Sequence, residues 1–398
     1  MNVRRPAALR GLVAVATLAV SGLLVSATAS VSAGAAGGTT AVQTSAPAQA
    51  AGTRPARPTY VPPVKHVFVI NFENKGYAKT WGPGSKAPYL ARDLRKKGVL
   101  LNSYYATAHN SLPNYIAQIS GQAPNLSTQF DCVTFSQFTA TAPLDAAGQA
   151  VGSGCVYPKG VPSLPRQMSS AHLTWKGYME QMPKPCSHPA IGTTDTTHTA
   201  RLHHNYAVRH NPFMYFHSII DNPTYCAVHV QPLGALTKRL RHATATPQLV
   251  YISPDLCRDG HDDPCADGKP GGLARFDAFL KIWAPRILAS PAFRYNGMLV
   301  ITADESDSPL SDSTACCNEQ TGPNTTTPGL SGPGGGRVGA LVISHWTRPN
   351  TWSTTPYNHY SLLASLEELY RLPKIGMAQQ DGLPVFGLDV YNNGWWKP

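Results

Sequence analysis

The chain reads as an α/β protein, a mostly parallel sheet with helices on both faces. Two observations lead there. Short apolar runs without alternation recur at 66–71, 248–252, 297–302 and 338–343. A strand apolar on both faces is covered on both, as in a parallel sheet. Between these runs lie stretches with helical spacing. Leu90 and Leu94 stand four apart within 89–97. Phe276, Leu280 and Ile287 share one side of 273–288, and Leu362, Leu363, Leu366 and Leu369 fall within 360–370. Strands alternating with helices form a doubly wound sheet.

The N-terminus precedes this pattern and differs from it. Arg4, Arg5 and Arg10 open a segment whose next stretch, Leu12 to Val25, is apolar and uncharged. Ala27-Thr28-Ala29 and Val31-Ser32-Ala33 both fit a small-x-small cleavage site. This pattern predicts a secretory signal peptide over 1–33, too short for a spanning helix, and a secreted protein. Arg4-Arg5 also fits the twin-arginine export pattern weakly, because Pro6 follows directly. Residues 34–62, rich in Ala, Pro, Thr and Gly, cannot bury a core and read as a flexible linker. The folded domain is then 63–398. Its stretch 122–245, poor in strand runs, reads as a loop-rich insertion or cap. Residues 306–336, rich in Ser, Asp, Gly and Pro, read as a long loop beside the fourth strand.

Charge and cysteines narrow the classes. The formal charge is +11, three of those charges being the Arg of the leader. A basic protein attracts phosphate esters, cell wall or anionic membrane. Arg95-Lys96-Lys97 and Lys238-Arg239-Leu240-Arg241 are the dense groups, and they equally fit solvated helix faces. No zinc-finger, helix-turn-helix or RNP pattern accompanies them, so no nucleic-acid partner is expected. Eight Cys, at 132, 155, 186, 226, 257, 265, 316 and 317, suit disulfides in an exported chain. Cys257–Cys265 and Cys132–Cys155 are the easiest local closures. Cys316 and Cys317 either reach elsewhere or pair with each other.

The chemistry lies at strand ends, where open α/β sheets bind ligands. Glu73-Asn74 follow the first strand, Asp255, Asp259, His261, Asp262 and Asp263 the second, Asp304-Glu305 the third, and His345 the fourth. Adjacent carboxylates repel, and a hard cation with oxygen ligands relieves that repulsion. The plainer readings are a capping acid plus a surface acid for Asp304-Glu305 and a turn for Glu73-Asn74. Ser111 precedes Pro113, Tyr115, Ile116 and Ile119, which have helical spacing, so it sits at a helix N-cap. That is a common place for Ser, and it is also where free N–H groups meet a phosphate. His359 opens the last helical stretch as a cap or as a donor to phosphoryl oxygen. His203, His204 and His210 receive no role.

Together these motifs resemble the secreted phosphoesterase family of bacterial and fungal acid phosphatases and phospholipases C, within the alkaline phosphatase-like superfamily. Seven segments carry the likeness in order: 66–74, 109–121, 174–179, 206–216, 246–261, 297–305 and 338–372. The resemblance implies an alkaline phosphatase-like three-layer sandwich and a metal-dependent phosphoesterase working through phosphoserine. By residue it implies Ser111 as nucleophile. Glu73, Asn74, Asp304 and Glu305, with Ser111, hold a divalent cation of undetermined identity. His109, His261 and His359 stand near the phosphate, with His261 or His359 protonating the leaving oxygen, and Asn114 is the motif amide, it or Asn74 meeting the equatorial phosphoryl oxygens. An acid phosphatase acting on monoesters, phosphoinositides among them, is implied first. The alternatives are a phospholipase C-type diesterase and an exported binding protein without catalysis. Departures are Asn110 and His345, each where Pro is usual, and Glu305, where some relatives have Asp. They bear on substrate and metal.

Overall fold

A computed structural model describes residues 60–391. The expected signal peptide lies outside the described residues, as does all of the expected linker but 60–62, where Tyr60 packs against the core. The central sheet has eight strands: β1 His66–Phe72, β2 Val99–Leu101, β3 Trp175–Met179, β4 Val230–Pro232, β5 Leu249–Ser253, β6 Gly297–Ala303, β7 Ala340–Ser344 and β8 Thr351–Ser353. Their order is β8-β2-β7-β6-β1-β5-β3-β4. β7 pairs antiparallel with both β6 and β2, and every other pairing is parallel. The four apolar runs are thus four strands of one sheet, with β1, β5 and β6 side by side.

Side-chain alternation assigns the helices to faces. Phe72 stacks on Phe276 of helix α2 (Gly272–Leu288), with ring centroids 4.7 Å apart. Asn71, on the other face, accepts a 3.0 Å hydrogen bond from Gln118 of α1 (Ser111–Ser120). Helix α3 (His359–Leu369) packs on α1. The result is a three-layer sandwich, with α1 and α3 on one face and α2 on the other.

Three expectations are corrected. The stretch 122–245 is not wholly an insertion, because β3 and β4 of the central sheet come from it. β3 escapes an apolar-run search because Lys176 and Gly177 interrupt it. Gly177 is small because the Phe213 ring lies against it, 2.5 Å from where a Cβ would stand. Second, β7 is antiparallel, so His345 emerges at the edge opposite the acids. There Ser344 donates to the carbonyl of Gly297, the first residue of β6, at 2.8 Å. Third, Asn110 is the N-cap of α1 and Ser111 is its first helical residue.

The eight Cys form Cys132–Cys155, Cys186–Cys226, Cys257–Cys265 and Cys316–Cys317. No helix among the described residues is long and apolar enough to cross a membrane.

Candidate active site

The site grows from the register of β1 and β6. Phe72 pairs with Ala303, and the Asp304 N–H donates to the Phe72 carbonyl at 2.9 Å. Glu73 and Asn74 therefore leave the sheet beside Asp304 and Glu305. The contacts follow: the Asn74 N–H donates to Asp304 Oδ1 at 3.0 Å, and Asn74 Nδ2 to Glu305 Oε1 at 2.8 Å. Asn74 has φ 50°, a left-handed conformation that Asn tolerates better than most residues.

Glu73 continues the β1 alternation and faces α1. It is buried and accepts from Ser111 Oγ at 2.9 Å and from the Tyr115 hydroxyl. Ser111 and Tyr115 are four apart on α1, so one helix face brings both to the same carboxylate. His109, two residues before Ser111, meets Glu305 Oε2 through Nδ1 and donates from Nε2 to the Asp312 carbonyl at 3.0 Å. The long loop 306–336 thus packs against the turn that precedes the serine. Gly335 there runs against the backbone of Ala108, 2.0 Å from where its Cβ would stand.

Two side chains that the sequence placed on the phosphate hold other residues instead. Asn114 is buried and its amide is fully used. Oδ1 accepts from the N–H groups of Thr107 and Ala108, each at 3.0 Å, and Nδ2 donates to the carbonyls of Ala108 and Asn110, each at 2.8 Å. It braces the turn that presents His109 and Ser111. His359 is also buried. Nε2 donates to the Asp304 carbonyl at 2.6 Å, and Nδ1 faces the Tyr104 hydroxyl at 3.1 Å and Gln118 Nε2 at 3.2 Å. Burial lowers its pKa to about 4, which favours the neutral ring, and Nε2 tethers the backbone at Asp304. His261 differs. It lies at the rim, its Nδ1 2.7 Å from Asp262 Oδ1 and its Nε2 3.5 Å from Arg209 Nη2, leaving a ring that solvent and ligand can reach.

The helix N-terminus offers fewer free donors than expected. Pro113 has no N–H, and the Leu112 N–H is taken by Asp131 Oδ1 at 2.8 Å. Asp131 is in turn 3.6 Å from the buried Arg209 guanidinium.

One residue enters that sequence reasoning missed, together with Asp259, one of the acids after the second strand. His210 lies between Glu73 and Asp259, its ring nitrogens 3.4 and 3.2 Å from their carboxylates, and it stacks on Tyr115 with centroids 5.4 Å apart. Glu73, His210 and Asp259 offer ligand atoms within 4.8 Å of one another. The signal for His210 was its place in the family-like segment 206–216, whose irregular pattern gave it no strand end. His203 and His204 are exposed.

The donor set fits a divalent cation. Asn74 Oδ1, Asp304 Oδ2, Asp259 Oδ2 and both nitrogens of His210 are buried without a hydrogen-bond partner. Burial and the neighbouring Asp304 and Asp259 push the Glu73 carboxyl well above its ordinary range. Burial raises Asp259 likewise, and carries Glu305 up to about 8 against the pull of His109. Carboxyls packed this way ionise together only with a cation among them.

Residues 83–373 match the model of the Phosphoesterase family. The chain belongs to the phosphoesterase family. Members hydrolyse phosphate ester bonds, and this phosphoesterase is such a hydrolase. It is 26% identical over 321 residues to a phosphatidylinositol-3-phosphatase of Mycobacterium tuberculosis, covering 80% of this chain and 81% of that one. It is 25% identical over 331 residues to a phosphate-repressible acid phosphatase of Penicillium chrysogenum, covering 81% of this chain and 65% of that one. Among solved structures it is similar to a protein of the alkaline phosphatase superfamily from Vibrio parahaemolyticus. There the TM-score is 0.47 and the identity 10%, covering 83% of this chain and 72% of that one. The family match begins after Glu73 and Asn74.

Proposed function

We propose that the phosphoesterase is a secreted, metal-dependent phosphatase that hydrolyses phosphate monoesters through a phosphoserine on Ser111. The observation that carries this is the Ser111 hydroxyl, at the first turn of α1, donating to Glu73 beside Asp304. Glu73, Asn74, Asp304 and Glu305, with Ser111, would hold a divalent cation, which would supply Lewis acidity to lower the pKa of the hydroxyl and offset phosphoryl charge. Glu73 accepts the hydroxyl hydrogen bond and orients Oγ for in-line attack. The Oγ–P bond forms and the ester P–O bond breaks as the hydroxyl proton passes to Glu73 Oε2, its hydrogen-bond acceptor, and protonated His261 gives its proton to the leaving oxygen. Water then attacks phosphorus, neutral His261 takes a proton from it, and Ser111 Oγ departs and takes its proton back from Glu73. His109 anchors Glu305, while Asn114 and His359 hold the frame. Positioning and electrostatics dominate such transfers.

Lipid monoesters of the phosphoinositide class are the substrate reading supported by the name of the mycobacterial relative. The disulfides support export, and the positive charge supports attraction to anionic membrane or cell wall. The test is Ser111→Ala. Turnover of an aryl phosphate is expected to fall by roughly 10³-fold or more, with the circular dichroism of the wild type retained. Denaturing mass spectrometry of acid-quenched wild type is expected to find phosphate on the peptide containing Ser111. Near wild-type turnover by Ser111→Ala refutes the assignment.

A further inference from the structure

A cavity of about 590 Å³ lies at the β3–β4 edge of the sheet. Its face follows from register. Gly177 pairs with Tyr251, and Tyr251 reaches Gln118 of α1, so Lys176 and Tyr178 project to the opposite, α2 face. The cavity is therefore separate from the serine.

Its walls are apolar: Pro185, Pro223, Ala227, Val228 and Ala235. The Cys186–Cys226 disulfide ties the two wall segments together. Set into these walls are Lys176 and Arg239, and no carboxylate is among the lining residues. Lys176 reaches the Val228 carbonyl, whereas the exposed Arg239 guanidinium makes no hydrogen bond or ion pair among the described residues. The Tyr178 hydroxyl beside Lys176 is fully buried and also lacks a partner. Burial, then Arg239, lowers the Lys176 pKa. Two cations without a counter-charge among the lining residues, and an orphan hydroxyl, form a locus that an anion completes. The volume and apolar lining are those of a pocket for a small organic ligand.

We infer that this cavity binds an anionic amphiphile, its carboxylate or phosphate head at Lys176 and Arg239 and its aliphatic chain along the proline-lined walls. The inference is independent of the catalytic reading of Ser111.

Titration calorimetry of the metal-loaded full chain with decanoate, decylphosphonate, decanol and inorganic phosphate tests it. Both anionic amphiphiles are expected to bind one per chain, and decanol roughly tenfold more weakly or worse, since a charge-assisted hydrogen bond is at stake. Arg239→Gln, an exposed change that leaves the fold intact, is expected to weaken the amphiphiles roughly tenfold. Lys176→Gln is expected to do the same, with turnover of an aryl phosphate unchanged in both. Wild-type affinity for decanoate in Arg239→Gln overturns the inference. So does decanol binding as tightly as decanoate, or Arg239-dependent binding of inorganic phosphate as tight as that of decylphosphonate.

Discussion

Asn114→Ala separates two roles for one side chain. As a phosphoryl donor, the amide would matter to turnover and little to folding. As the brace seen in the structure, it matters to folding first. Removing it strips the Thr107 and Ala108 N–H groups of their acceptor and the carbonyls of Ala108 and Asn110 of their donor, in a region with no solvent to replace them. Each orphaned buried donor costs about 1–3 kcal/mol, and the carbonyls keep a second lone pair for other partners. The two N–H groups together cost about 2–6 kcal/mol. The measurement is urea unfolding at fixed metal concentration, followed by tryptophan fluorescence, with turnover measured alongside on the folded fraction. The midpoint is expected to fall by the full amount, and kcat with it, because Ser111 and His109 lose their support. An unfolding midpoint equal to wild type, with kcat down by two orders of magnitude or more, would falsify the bracing role and restore the amide to the phosphate.

Chelation is expected to lower the thermal midpoint as well as abolish turnover, because Glu73, Asp259, Asp304 and Glu305 are then packed without a counter-charge; an unchanged midpoint by scanning calorimetry, with and without chelator, sinks the cation reading. Glu367 on α3 is buried with both carboxylate oxygens unpartnered, and burial raises its pKa to about 8 despite Lys374. A raised carboxyl pKa contributes stability below the unfolded value near 4.5 that is lost as pH rises towards 8. Glu367→Gln is therefore expected to be more stable than wild type at pH 8.5, by up to about 4 kcal/mol, and to lose that advantage by pH 4, as read by urea midpoints. Gly177→Ala drives a methyl into the Phe213 ring and is expected to cost about 1–3 kcal/mol; wild-type stability in the same assay would mean that the ring moves freely.

Part of this protein was legible residue by residue along the chain. The apolar runs that became β1, β5, β6 and β7 could be read locally, because burial on both faces leaves a mark on the run itself. The acids after β1 and β6 were legible for the same reason, since a strand end lies next to its strand in sequence. Ser111 ahead of a helical pattern was legible too, to within one residue of its place.

What only the tertiary structure decided is non-local. β7 could not declare its direction, because an apolar run reads alike in parallel and antiparallel pairing, and that direction moved His345 to the far edge. β3 hid behind Gly177, whose size answers to Phe213, 36 positions away. His210 joined Glu73 and Asp259 through an irregular segment with no periodicity to read. Asn114 and His359 stand in the right motif at the right spot, and the three-dimensional packing gave their hydrogen-bonding atoms to neighbouring backbone and side chains. Residue type sets what a side chain can do. Which of its atoms remain free to do it depends on neighbours that the chain supplies from a distance.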